Sequence, residues 1–123
     1  MKLRFAIIAL ALLALALPAL AGLNQYGVAD QRNVTFVAPM RVGGMLLPAG
    51  DYVVKHTIEA NEHIMVFTQR SARKPLEAKV KCSMLPLTQK AQQNGVGYKE
   101  INNEKVLTRL IFKGDLAEHV FEP

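Results

Sequence analysis

The chain has 123 residues, 15 of them basic and 10 acidic, with a single cysteine. This length is enough for one domain with a hydrophobic core and too short for two. A single cysteine excludes an internal disulfide, and the mild positive charge lacks the strongly basic character of a nucleic-acid-binding protein.

The first 21 residues have the order of parts of a secretory signal peptide. Lys2 and Arg4 precede an unbroken apolar run over 5–17. Pro18 ends that run, and a small-x-small triplet follows that ends at Ala21. This order predicts cleavage after Ala21 and export to the periplasm or the extracellular space. The protein is then expected to meet a membrane only through the signal peptide, before cleavage.

An uncleaved anchor is the competing interpretation of the same segment. Leu20 and Leu23 extend the apolar stretch beyond the proline, towards the roughly 20 residues that a spanning helix needs. If the leader is removed, the mature chain has 13 basic and 10 acidic side chains. That balance keeps a protein soluble and gives no reason to expect a nucleic-acid partner.

The mature chain divides into a short lead-in and a single β domain. Residues 22–32 contain two glycines and show no periodicity, which predicts a flexible lead-in, and 33–123 form the domain. Runs of β-branched and aromatic residues bounded by turn residues indicate the strands. They are expected at 33–38, 51–58, 63–68, 76–84, 98–101, 106–112 and 118–121.

Turn residues separate these runs. Gly43 and Gly44 suggest a bend within 40–47, and Leu47-Pro-Ala-Gly50 places proline and glycine at the second and fourth positions of a turn. The polar stretch 86–104 predicts a loop with a short helical turn ahead of a weak strand. About seven short strands without helical periodicity predict an all-β fold, either a small antiparallel β-sandwich or a barrel.

Several short sequence features resemble a family of short exported bacterial proteins of unknown function. In that family a signal peptide precedes a β domain whose hallmark is an LPAG-x-Y turn and strand. The resemblance covers roughly 34–69 and 106–123, and it implies export and a β fold without assigning a role to any residue. The features, in order, are Thr35-Phe36, Pro39, Val42-Gly43, Leu47-Pro-Ala-Gly50, Tyr52-Val53, Asn61-x-His63-Ile64, Val66-Phe67, Phe112-x-Gly114, Val120-Phe121 and Pro123.

Histidines in the 51–68 hairpin are the candidate metal ligands. If the hairpin turns at 60–61, His56 faces Met65 and lies diagonal to His63 on the same face of the sheet, roughly 7–8 Å away. His and Met ligands would suit copper. A shift of one residue in the register would place the two histidines on opposite faces, which would leave ordinary strand histidines. His119 is the third histidine, without a predicted partner.

The remaining reactive side chains do not form a catalytic constellation. Ser71 and Ser83 lack the flanking glycines of a nucleophile elbow, and Asp51 and Asp115 stand where turns commonly place aspartate. Cys82 alternates with polar residues, which predicts a buried, inert thiol, with a reactive or intermolecular thiol as the alternative. No catalytic residue and no cofactor are therefore expected.

The function expected from the sequence is a non-catalytic exported domain that acts as a binding or envelope-associated module. Its partner would be a protein or another envelope component, paired with an edge strand at 33–38 or 118–121. One alternative is a small periplasmic copper carrier that uses His56, His63 and Met65. The other is an enzyme of unidentified type.

Overall fold

A computed structural model describes residues 31–122, so the predicted signal peptide and residues 22–30 of the predicted lead-in lie outside the described residues. These 92 residues form ten strands and no helix, which confirms the predicted all-β class. No helix that could cross a membrane occurs between residues 31 and 122. The strands are β1 (Gln31–Phe36), β2 (Met40–Val42), β3 (Met45–Leu47), β4 (Gly50–Glu59), β5 (Glu62–Gln69), β6 (Glu77–Lys81), β7 (Ser83–Pro86), β8 (Gly95–Ile101), β9 (Glu104–Ile111) and β10 (Ala117–Val120).

The strands form two sheets. The first is fully antiparallel with the order β1-β4-β5-β6, and the second has the order β3-β2-β9-β10-β7, with β8 also paired to β9. Only β2 and β9 run parallel among the described strands, and they pair at Arg41 and Val106. The predicted antiparallel sandwich is therefore correct except for this one pair.

The core lies between the sheets and receives alternate residues of both. Phe36 stacks on Phe67 with 6.2 Å between ring centroids, and Phe67 meets Phe121, the residue after β10, in a T-shaped contact at the same distance. Burying each such side chain contributes roughly 1.5–3 kcal/mol. The buried cluster consists of Val34, Phe36, Met40, Val42, Leu47, Tyr52, Val54, Met65, Phe67, Ala78, Leu107, Leu110, Phe112 and Phe121.

The turn before β4 explains why the Leu47-Pro-Ala-Gly-x-Tyr52 sequence specifies structure. Tyr52 is fully buried, and its hydroxyl donates a 2.5 Å hydrogen bond to the carbonyl oxygen of Pro48. Gly50 begins β4 with φ of 145°, a backbone conformation that residues other than glycine rarely adopt. This motif therefore closes a turn and fixes its tyrosine in the core.

The β4–β5 hairpin has, of the two registers considered from the sequence, the one that places both histidines on the same face. Ala60 and Asn61 form its two-residue turn with φ of 50° and 65°, the combination expected of a type I′ turn. His56 consequently pairs with Met65, and Ile58 pairs with His63. Both histidines thus belong to one face of the first sheet.

The predicted single strand over 76–84 is wrong, because the chain changes sheets within it. The amide of Cys82 still bonds the carbonyl oxygen of His63 at 2.9 Å, continuing the ladder of β6 on β5. The chain then leaves the first sheet, and β7 pairs with β10 in the second. Apolar and polar residues alternate in the same way before and after Cys82, so the sequence does not show that the chain changes sheets there.

Three further expectations need correction. The stretch 118–121 is not an edge, because β10 lies between β9 and β7. The chain from 86 to 104 contains no helical turn, and its strand, β8, is longer than the weak strand expected at 98–101. β8 forms because it pairs with β9, a partner that the polar sequence of 86–104 does not predict. Gln31 and Arg32 belong to β1 rather than to the lead-in, since they pair with β4. β1 remains an edge strand of the first sheet, as expected.

Candidate metal centre

Three imidazole rings meet between the sheets. His56 of β4 and His63 of β5 stack nearly parallel, with 5.1 Å between ring centroids and 11° between planes. His119 of β10 approaches His56 edge-on, with centroids 5.2 Å apart and planes inclined by 70°. The first two rings come from one hairpin, and the third comes from the opposite sheet.

The two rings of the hairpin also contact each other through nitrogen. Nδ1 of His63 lies 3.1 Å from Nε2 of His56, a hydrogen-bond distance. One ring must donate and the other accept, so the contact couples the tautomers of both rings. An ion bound by His56 would therefore have His63 as a neighbour that orients the ligand.

Cys82 completes a compact set of ligand atoms. Its sulfur lies 3.9 Å from Nδ1 of His119. One ligand atom from each of His56, Cys82 and His119 lies within 4.8 Å of the others. Metal–nitrogen bonds of about 2.0 Å and metal–sulfur bonds of about 2.3 Å place ligand atoms roughly 3.4–3.8 Å apart. Side-chain movements of about 1 Å would therefore bring all three atoms onto one ion.

His119 is held in a neutral, ligand-ready form. Its side chain is fully buried, and the Phe112 ring meets it in a T-shaped contact with 5.8 Å between ring centroids. Burial lowers the pKa of His119 to about 4, with further contributions from His56, His63 and Arg32. Nε2 of His119 is buried without a hydrogen-bond partner. At neutral pH one ring nitrogen of His119 therefore offers its lone pair.

The Cys82 thiol is protonated before any ion arrives. The side chain is partly buried and packs against the hydrophobic core. Burial raises the pKa of Cys82 to about 11. A metal ion must displace this proton, because the thiolate is the ligand. The raised pKa also makes the free thiol a weak nucleophile at neutral pH.

A cleft connects the cluster to solvent. Its volume is about 510 Å³, and both Cys82 and His63 line it. Exposed polar residues form the mouth, among them Glu62 and Glu122, and Lys81 pairs with Glu62 at 3.0 Å. An ion can therefore reach the sulfur from this side, while His119 lies fully buried.

The structure brings together two of the three residues that the sequence singled out for metal binding. His56 and His63 are in contact, whereas Met65 pairs with His56 across the hairpin and has a side chain only 1% exposed within the core. Sequence reasoning missed Cys82 and His119 as members of the same cluster. Alternation predicted an inward-facing Cys82, but no local signal could pair β10 with the chain crossing at that residue.

The two aspartates considered as a carboxylate pair have separate partners. Asp51 accepts a hydrogen bond from the Thr35 hydroxyl, at the surface. Asp115 is fully buried and pairs with Arg32, which lies over the Phe112 ring at 5.7 Å. Burial raises the pKa of Asp115, while Arg32 opposes that rise. Each aspartate thus has a structural partner.

Comparison of the chain with protein-family models, with curated proteins and with solved structures found no match. The geometry and chemistry of the cluster are therefore the basis for assigning a function.

Proposed function

We propose that this domain binds one ion of a thiophilic transition metal, Zn(II) or Cu(I), through His56, Cys82 and His119. The observation that carries the proposal is the fully buried His119 ring, whose Nδ1 lies 3.9 Å from the Cys82 sulfur while Nε2 has no hydrogen-bond partner. Thiolate and imidazole together are ligands that zinc and copper prefer over magnesium or calcium.

Stability alone gives a poor reason for a histidine at position 119. A buried polar atom without a partner costs about 1–3 kcal/mol, whereas an apolar side chain of similar shape would fill the same space without that cost. The Phe112 ring already makes a T-shaped aromatic contact with His119, which a phenyl group at position 119 could also make. The free energy of binding an ion at Nδ1, beside the Cys82 sulfur, offsets this penalty.

The proposal extends to an exported and non-catalytic protein. Export is supported by the leader-like order of residues 1–21, and by the resemblance to short exported bacterial proteins with an LPAG-x-Y turn. The absence of a catalytic role is supported by Ser71 and Ser83, which lack an elbow, and by the raised pKa of Cys82. N-terminal sequencing of the protein recovered after export tests the leader: Gly22 is expected as the first residue, and a retained Met1 would contradict export by cleavage.

The metal proposal is tested on that exported protein, reduced and kept free of oxygen, by titration with Zn(II), Cu(I) and Cu(II). One equivalent of Zn(II) or Cu(I) is expected to bind more tightly than micromolar. His119→Phe should lose this binding and remain folded, because phenyl replaces imidazole without emptying the site. Binding no tighter than micromolar in the wild type, or unchanged binding in His119→Phe, would contradict the proposal.

A second candidate function is binding an extended segment of a protein or another envelope component. It is favoured by β1, an edge strand of the first sheet, and by Val37, whose side chain is 95% exposed where that strand ends. Pull-down from envelope extracts tests it with wild type and with Thr35→Pro, which removes an edge amide. Partners retained equally by both, or none enriched, would count against this function.

A further inference from the structure

The charge and number of the ligands distinguish between the two metals. We infer that the ion held by His56, Cys82 and His119 is monovalent copper, coordinated by these three side chains alone. This inference rests on the proposed function, because it specifies the ion that the same site takes.

The first argument is charge balance. The compact group of His56, Cys82 and His119 contains one thiol and two imidazoles and no carboxylate. The bound thiolate therefore supplies a single negative charge. Cu(I) makes this site neutral, whereas Zn(II) would leave one uncompensated positive charge between the sheets. Uncompensated charge in a protein interior is strongly unfavourable.

Within residues 31–122, the buried surroundings of the site offer no free counter-charge for a divalent ion. His119 is fully buried, and the Phe112 ring packs on it with 5.8 Å between centroids. Among the described residues the buried carboxylate is Asp115, and it is already paired with Arg32. A neutral Cu(I)–thiolate pair needs no such counter-charge.

The second argument is coordination number. Zinc in structural sites takes four ligands in a tetrahedron, and in open sites it takes a water as the fourth. Soft thiolate ligands select Cu(I), for which three ligands in a plane suffice. The exposed carboxylates at the cleft mouth, Glu62 and Glu122, are not part of the compact group. The three-ligand set is therefore complete for Cu(I), whereas Zn(II) needs a fourth ligand, such as water from the cleft.

The test compares the two affinities in the reduced, exported protein without oxygen. Competition with a chromophoric Cu(I) chelator and with a chromophoric Zn(II) chelator gives each dissociation constant. We expect Cu(I) to bind at least roughly a thousandfold more tightly than Zn(II), because only Zn(II) leaves a net buried charge. Equal affinities, or tighter binding of Zn(II), would overturn this inference while leaving the proposed metal site intact. Failure of both ions to bind would overturn both.

A variant at the cleft separates a three-ligand site from a four-ligand one. Glu122→Gln removes the carboxylate at the mouth and keeps its shape. Cu(I) affinity is expected to change by less than about threefold, because this carboxylate is not a ligand. A loss of tenfold or more would place a carboxylate on the ion and overturn the coordination inferred here.

Discussion

The Cys82 sulfur and Nδ1 of His119 lie 3.9 Å apart, although the two residues are separated by 37 positions along the chain. Cys82 is where the chain crosses from the first sheet to the second, and His119 lies on the strand that receives β7 after that crossing. The sheet change therefore brings the thiol to the imidazole. His56, from the first sheet, reaches the same point from the other side.

Replacing the sulfur tests this arrangement. Cys82→Ser should lower the affinity for Cu(I) by more than about 100-fold, since even residues that only support a ligand typically contribute 10–100-fold. A hydroxyl is a poor ligand for a soft ion. Chelator competition measures the change.

Met65→Leu is the matched control for that variant. Met65 pairs with His56 but is buried in the core, so a leucine of similar volume should cost less than about 1.5 kcal/mol of unfolding free energy. Its Cu(I) affinity should stay within about threefold of wild type. A loss as large as that of Cys82→Ser would instead make the Met65 thioether a ligand, as in the copper carrier expected from the sequence.

Acid should destabilise the fold through His119. Burial lowers the pKa of His119 from 6.5 to about 4, so the unfolded chain binds a proton more readily than the folded one between these values. The contribution of neutral His119 to the free energy of unfolding is fully present above pH 6.5 and is lost as the pH falls towards 4. This contribution amounts to about 3 kcal/mol.

Urea unfolding of the metal-free protein at pH 7.5 and pH 4 measures this effect. The raised pKa of Asp115 acts in the opposite direction and is common to wild type and His119→Phe. The difference between the two proteins therefore isolates the histidine. Wild type should lose about 3 kcal/mol more than the variant on acidification. Parallel losses would show that His119 is not buried in its neutral form.

The ion pair between Arg32, which is partly exposed, and the buried Asp115 joins β1 to the turn before β10. Asp115 is fully buried, so Arg32→Met should leave an unpaired carboxylate and cost about 3 kcal/mol of unfolding free energy. Lys79→Met removes a solvent-exposed partner of Glu59 and should cost less than about 1 kcal/mol. Similar costs in urea unfolding would contradict the structural role assigned to Asp115.

A substitution in the β4–β5 turn, which sets the register of His56 and His63, should raise the free energy of unfolding. Ala60 has φ of 50°, which is strained for alanine, so Ala60→Gly should stabilise the metal-free protein by about 0.5–1 kcal/mol. Asn102 occupies the corresponding position of the β8–β9 turn at φ of 53°, and asparagine tolerates this conformation. Asn102→Gly should therefore give a smaller gain. Equal gains in urea unfolding would show that the strain at Ala60 is absent.

Local sequence predicted the features that depend on neighbouring residues. Leu47-Pro-Ala-Gly50 predicted its turn, and the short polar stretch 59–62 predicted a hairpin that, if it turned at 60–61, would place His56 and His63 on one face. Both follow from backbone preferences and from the two-residue period of a strand. The all-β class followed from the same patterns.

The sequence patterns did not predict which strands pair when they are distant along the chain. The interior place of β10 depends on β7 and β9, and the strand break at Cys82 depends on which sheet each half joins. Alternation shows which face of a strand is buried but not which strand lies beside it. The histidine pair could therefore be proposed from the hairpin, whereas the addition of Cys82 and His119 required the folded chain.

X-ray absorption spectroscopy of the copper-loaded, reduced protein tests most directly that three side chains form one site. One sulfur at about 2.3 Å and two nitrogens at about 2.0 Å are expected for a single Cu(I) per chain. A copper coordination shell that contains only nitrogen and oxygen, without sulfur, would contradict the joint site of His56, Cys82 and His119.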